Sequence, residues 1–156
     1  MSRRDQIRMT EDEIAQYLEQ GRTLNVATIN PDGAPHLVAM WYTLLDGKLA
    51  FWTYAKSQKA VNLRRDPRLT CLLESGAVYS ELRGVQIHGT ATLITDTERV
   101  REIGEALYRR NNDRELGELS EASRQSVAAQ APKRIVVVVE PTNIVSWDHA
   151  KLGGIH

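Results

Sequence analysis

The sequence has a single cysteine, Cys71, which excludes a disulfide framework and a multi-cysteine metal site. Its histidines, His36, His88, His149 and His156, stand at no metal-ligand spacing from one another. No apolar run approaches the roughly 18 residues a membrane span needs, and the opening MSRRDQIRMT has no signal-peptide hydrophobic region. Neither sign of charge is in excess, since 20 Lys+Arg balance 20 Asp+Glu. A global pull toward nucleic acid is therefore absent, and any anion site has to be local. Phosphate loops, GxGxxG fingerprints and GxSxG elbows are all missing. What is there is ordinary for a globular chain, with 42% hydrophobic and 26% charged residues. The 156 residues suit one domain that folds without disulfides. The expectation is a cytoplasmic protein with no membrane and no nucleic-acid partner.

Along the chain, residues 1–10 are polar and basic and are expected to be a flexible arm, followed by one domain over 11–150 and a tail over 151–156. Thr10-Glu11-Asp12-Glu13 has the pattern of a capping box, with Met9 and Ile14 at the staple positions and Gly21 placed to end the helix in a left-handed turn. From Thr23 the period becomes strand-like. Runs over 23–29, 34–44 and 48–54, joined by Asn30-Pro31-Asp32-Gly33 and Asp46-Gly47, predict an antiparallel meander. A helix is expected over 57–65, strands over 68–74 and 84–95, and a helix opened by a second capping box at Thr95–Glu98. Residues 111–133 carry weak apolar anchors at Leu116, Leu119 and Val127, with a second helix from about Ser120. The β-branched run Ile135–Glu140 and a last strand at 144–148 complete the pattern. Six or so mostly antiparallel strands with helices between them imply a small closed or nearly closed barrel.

Most of the chemical information lies in Phe51-Trp52-Thr53-Tyr54-Ala55-Lys56-Ser57-Gln58-Lys59, where a strand ends and a helix begins at a hydroxyl residue flanked by lysines. Free amides and the positive helix end favour an anion there, and Thr53, Ser57, Lys56 and Lys59 can add hydrogen bonds and charge. Asn62 falls near Lys59 on the same helix face. The bland reading is a plain N-cap with solvated lysines. Aromatics are scarce, yet Trp41, Tyr42, Phe51, Trp52 and Tyr54 fall close together. A flat ring can pack beside them, although core and dimer packing explain them as well. Cys71 reads as a buried, inert thiol, and the pairs Arg64-Arg65 and Arg109-Arg110 as surface ion-pair formers.

The meander, FWTYAKSQKAVNL and RGVQIHGTATLI resemble the pyridoxamine-phosphate-oxidase-like superfamily, from about residue 11 to residue 148. KAVNLRRDPR and the terminal SWDHAKLGG further resemble its deazaflavin (coenzyme F-420) dependent reductases, B subgroup. The resemblance implies a mostly β fold with helices, the FMN-binding split β-barrel, and a homodimer with the cofactor in a groove between two barrels. It implies that Thr53, Ser57 and Lys59 hold the cofactor phosphate, with Lys56, Asn62 and Trp52 nearby and Arg64 within reach of an acidic tail. The strand carrying His36, Val38, Met40 and Trp41 would run beside the ring. Gln58 and His36 stand where the flavin oxidases carry basic residues, a departure that weakens the FMN assignment and leaves room for F-420. The implied activity is hydride transfer to an unsaturated small molecule, with no residue assigned as catalytic. Tyr42, Tyr54 and His149 are candidate proton donors. The alternatives are an FMN-dependent enzyme and a non-enzymatic binder of a cofactor or another planar ligand.

Overall fold

Hydrophobic alternation along the chain becomes one sheet with a helix layer on part of its outer face. The computed structural model describes residues 1–153. Its helices are α1 (Arg3–Gln6), α2 (Glu11–Gln20), α3 (Gln58–Arg65), α4 (Thr97–Arg110) and α5 (Glu121–Gln130). Its strands are β1 (Thr23–Ile29), β2 (Pro35–Trp41), β3 (Thr43–Leu45), β4 (Lys48–Tyr54), β5 (Arg68–Ser75), β6 (Arg83–Ile94) and β7 (Arg134–Asp148). The strands form one antiparallel sheet in the order β2-β1-β5-β6-β7-β4-β3. Its two edge strands are consecutive in the chain and separated by Tyr42 alone, so the sheet curls until its edges meet. This is the expected split β-barrel, mostly β with helices.

The expected meander changes at that point. Residues 34–44 do not make one strand, because the chain leaves β1 after Trp41 and joins β4 from Thr43. The pivot, Tyr42, is fully buried, and its hydroxyl donates to the Leu18 carbonyl. Arg110 lies 4.4 Å over the Tyr42 ring and donates to the carbonyls of Leu18, Glu19 and Gly21 at the end of α2. Neither Arg64-Arg65 nor Arg110 therefore makes the expected ion pairs, since Arg64 and Arg65 also bond carbonyls, those of Ala55 and Ile29. Gly21 is extended (φ −70°) rather than left-handed. A glycine is required there because a Cβ would lie 2.5 Å from both the Tyr42 hydroxyl and Leu73.

The barrel interior holds Leu24, Val26, Phe51, Cys71, Val137 and Val139, closed by Leu18 and Leu63. A second core lies between the opposite faces of β4 and β7 and helices α4 and α5, with Ala50, Trp52, Ile103, Leu107, Val136 and Val138. Burial on both faces explains the unbroken run Ile135–Val139, which a half-exposed strand would not carry. The expected break before residue 144 is absent, because β7 continues past Pro141 with a register shift opposite His88/Gly89. Gly89 fits that bulge, where a Cβ would meet the Glu140 carbonyl at 2.3 Å.

The capping box at Thr10 and the helix from Ser120 are as expected, each cap accepting from the amide three residues on. The cap of α4 is Asp96, one residue later than expected, because its carboxylate reaches the Arg99 amide. Leu116 is exposed and anchors nothing, whereas Val127 is fully buried. Residues 1–10, expected to be loose, carry α1 with a Ser2/Asp5 capping box. They are tied down by bonds from Met9 N to Ser146 Oγ, Asp148 N to the Ile7 carbonyl and Lys151 Nζ to the Arg8 carbonyl. SWDHAKL is thus a clasp for the N-terminal segment. Of the expected tail, residues 154–156 lie outside the described residues.

Candidate functional site

β4 ends at Tyr54, the chain turns through Ala55-Lys56, and Ser57 caps α3 by accepting from the Ala60 amide at 3.4 Å. The side chains of Thr53, Ser57 and Lys59 meet at this corner. Thr53 Oγ1 lies 3.0 Å from Ser57 Oγ, and Lys59 Nζ donates to Thr53 Oγ1 at 3.1 Å. Thr53 is buried on the barrel side of β4, while Ser57 and Lys59 are half-buried at its mouth. The amides of Gln58 and Lys59 begin the helix, where they have no intrahelical acceptor. Burial and the Arg134 guanidinium both push the Lys59 ammonium below the ordinary lysine range.

Backbone pairing adds charge that a local reading misses. Tyr54 pairs with Arg134 across β4 and β7, and the Ala55 amide donates to the Lys133 carbonyl at 2.9 Å. Arg64 Nη1 donates to the Ala55 carbonyl at 2.7 Å. Lys56, Lys59, Arg64, Lys133 and Arg134 thus gather around one turn. Among the described residues none of them has a carboxylate partner, although ten ion pairs form elsewhere. A neutral chain has concentrated unpaired positive charge here. Two hydroxyls, free helix amides and a desolvated ammonium fit a phosphate, so the donor set matches the group it was expected to hold.

The other expected residues separate into two places. Asn62 is fully buried and occupied: Nδ2 donates to Thr28 Oγ1 and Asn30 Oδ1, each at 3.0 Å, and Oδ1 accepts from Gln58 at 2.8 Å. It locks α3 onto β1 rather than facing a ligand. His36 pairs with Thr28 across β1 and β2, and its Nδ1 is buried with no hydrogen-bond partner. Val38 and Met40 share its face of β2, half-buried toward the barrel, while Trp41 is on the opposite face. Trp52 faces α4, away from Thr53.

Trp41, Trp52 and Met40 meet again in a cleft of about 370 Å³ that also takes in Ala39, Leu107, Tyr108 and Arg134. Of the candidate proton donors, Tyr42 is sealed in the core with its hydroxyl pushed up by burial. His149 Nδ1 donates to the Tyr79 carbonyl at 3.0 Å, beside the N-terminal clasp. Only Tyr54, half-exposed under Arg134, borders the corner. Sequence reasoning missed Arg134, whose single local signal was its position at the head of the IVVVV run.

A sheet curled onto its own edges, with an anion corner at one strand-to-helix turn, defines a split-barrel protein. The chain belongs to the pyridoxamine 5'-phosphate oxidase family, whose sequence profile matches residues 10–148. Among solved structures it is similar to the conserved hypothetical protein Rv2991 of Mycobacterium tuberculosis, at 42% identity and a TM-score of 0.89 over 100% of this chain and 95% of that one. An F420 reductase matches at 27% identity and a TM-score of 0.62, over 83% of this chain and 93% of that chain. HutZ, the heme storage protein of Vibrio cholerae, shares the fold at 15% identity and a TM-score of 0.66, over 90% of this chain and 97% of its own. No curated protein matches the chain.

Proposed function

We propose that the protein is a deazaflavin (coenzyme F-420) dependent oxidoreductase that reduces unsaturated small molecules in the cytoplasm. The observation that carries this reading is the corner of Thr53, Ser57 and Lys59, ringed by further cations and free of carboxylates. Its excess of charge suits a cofactor whose acidic end carries more than one phosphate's worth of negative charge, as the F-420 tail does. The likeness to an F420 reductase points the same way. The bound deazaflavin would supply hydride transfer. The protein's share is to hold the phosphate with Thr53, Ser57 and Lys59, to align the ring along His36, Val38 and Met40, and to keep water out.

The working unit is a homodimer. The outer faces of β1, β2 and β5 have no helix over them, and adjacent rows place Leu37 beside Ala27 and Thr70, and Ala39 beside Asn25 and Leu72. The centre of that surface is uncharged and largely apolar, with Arg68 and Glu74 at the two ends of β5, and Leu37 is 66% exposed within one chain. A patch of this kind is suited to burial against a second copy.

FMN is the second reading, favoured by the family match. Exposing the purified chain to equimolar F-420 and FMN, then identifying the retained chromophore, separates the two. Retention of F-420 supports the proposal. Retention of FMN, or of neither, overturns it.

A further inference from the structure

The cleft beside α4 shares Arg134 with the cation ring, but the rest of its lining is aromatic and apolar and is not explained by the cofactor phosphate. Trp41 and Trp52 each meet the Tyr108 ring edge-on, at 6.2 and 5.9 Å between centroids. Trp41 is 45% exposed within one chain, at the cleft wall and at the end of the β2 face proposed to meet the second copy. At the other end, the Arg134 guanidinium carbon lies over two rings, 4.5 Å from the Trp52 centroid and 4.0 Å from that of Tyr54. Gln130 Oε1 accepts from its Nε at 3.0 Å and its Nη2 at 2.5 Å, which fixes the plane of the fork. No Asp or Glu lines the cleft, and Arg134 has no carboxylate partner among the described residues. Elsewhere, half-buried Arg83 pairs with Asp148 and Arg101 with Glu105, while Arg110 takes three backbone carbonyls and Arg114 takes that of Gln20. Of the half-buried arginines without a carboxylate, Arg134 is the one that lines the aromatic cleft, with a single neutral oxygen as its acceptor.

An oriented guanidinium stacked on aromatic rings, at the end of an aromatic cleft, is a receptor for a flat molecule with an acidic oxygen at one edge. The 370 Å³ volume is at the lower end of small-ligand sites, enough for a fused two-ring compound. We infer that this cleft is the acceptor-substrate subsite and that it selects planar unsaturated carboxylates, with Arg134 pairing the carboxylate and Trp41 and Tyr108 packing the ring. The assignment as acceptor subsite rests on the proposed reductase reading; the selectivity for acids does not.

The test uses the purified full chain without cofactor, titrated with 2-naphthoate and with its neutral isostere 2-naphthamide, read by tryptophan quenching and calorimetry. Saturable binding with about a tenfold or greater preference for the acid is expected, the worth of one charge-assisted pair. Arg134→Gln should abolish that preference, and circular dichroism shows whether the variant is folded. Equal affinity of the wild-type chain for acid and amide overturns the inference, as does a preference that survives Arg134→Gln. A preference lost in Lys59→Ala but kept in Arg134→Gln also overturns it, since the acid would then sit in the strand-to-helix corner. Because cofactor is absent throughout, failure to bind F-420 in a separate titration would leave the acid selectivity standing, and the reverse also holds.

Discussion

Lys59 is held partly out of water beside a second cation, so its charged form is disfavoured in the free protein. An anion placed against it offsets both effects by direct attraction and restores the ammonium. The sign follows: ligand affinity is level at neutral pH, then falls as pH rises through the lowered value of free Lys59, before an ordinary lysine would titrate. Calorimetry of cofactor binding from pH 7 upward checks this, and an affinity that holds until the ordinary lysine range contradicts it. Cys71 behaves oppositely, since burial in the barrel pushes its thiol up to about 12. It should resist thiol reagents at pH 8 in the folded chain and react once per chain in denaturant, as a chromogenic disulfide would report. Thr53, Ser57 and Lys59 were legible because one capped turn brings neighbours in sequence together. Arg134 was illegible because it reaches the same corner only through the pairing of β4 with β7, and no local pattern encodes that register. The partners of Asn62 were illegible for a related reason: its helix face was readable, but Thr28 and Asn30 lie on and just after β1, far away in the chain.

At the scale of elements, α4 approaches β4 closely because Gly104 carries no side chain. A Cβ there would lie 2.6 Å from Trp52 Cζ3, against a ring packed on both sides. Gly104→Ala gains about 1 kcal/mol of helix propensity but overpacks the site by ~1–3 kcal/mol. The expected result is a lower melting midpoint together with weakened naphthoate quenching, because Trp52 forms the floor under Arg134. A raised midpoint would mean that α4 can move away freely. Periodicity located most strands and helices, since alternation and caps are local. It did not foresee the interruption at Tyr42, because the chain there exchanges one sheet edge for the other, and only the closed barrel defines those edges. The double-faced burial of β7 was visible as a β-branched run, but not which helices cover it.

For the whole molecule, net charge is zero while five cations around one turn have no carboxylate partner among the described residues, so binding of an acidic cofactor should weaken as salt rises. The open face of β1, β2 and β5 predicts a dimer with twice the chain mass by sedimentation. Leu37→Glu, on that face and outside the corner, should give a folded monomer with an unchanged circular dichroism spectrum. A dimer indifferent to this change would place the interface elsewhere. The fold and the family were readable from the sequence because strand order follows from turns and patterning. The charged ring and the aromatic cleft were not, because they are assembled from segments far apart in the chain.

The central claim is that the strand-to-helix corner holds the acidic end of a deazaflavin. It is tested most directly by titrating wild-type and Lys59→Ala protein with F-420 and with FMN, following tryptophan fluorescence. The account predicts saturable F-420 binding at micromolar protein, tighter than FMN, and weakened roughly 10- to 150-fold by Lys59→Ala while the fold is retained. FMN binding as tightly as F-420, or an affinity for F-420 that Lys59→Ala leaves unchanged, would contradict it.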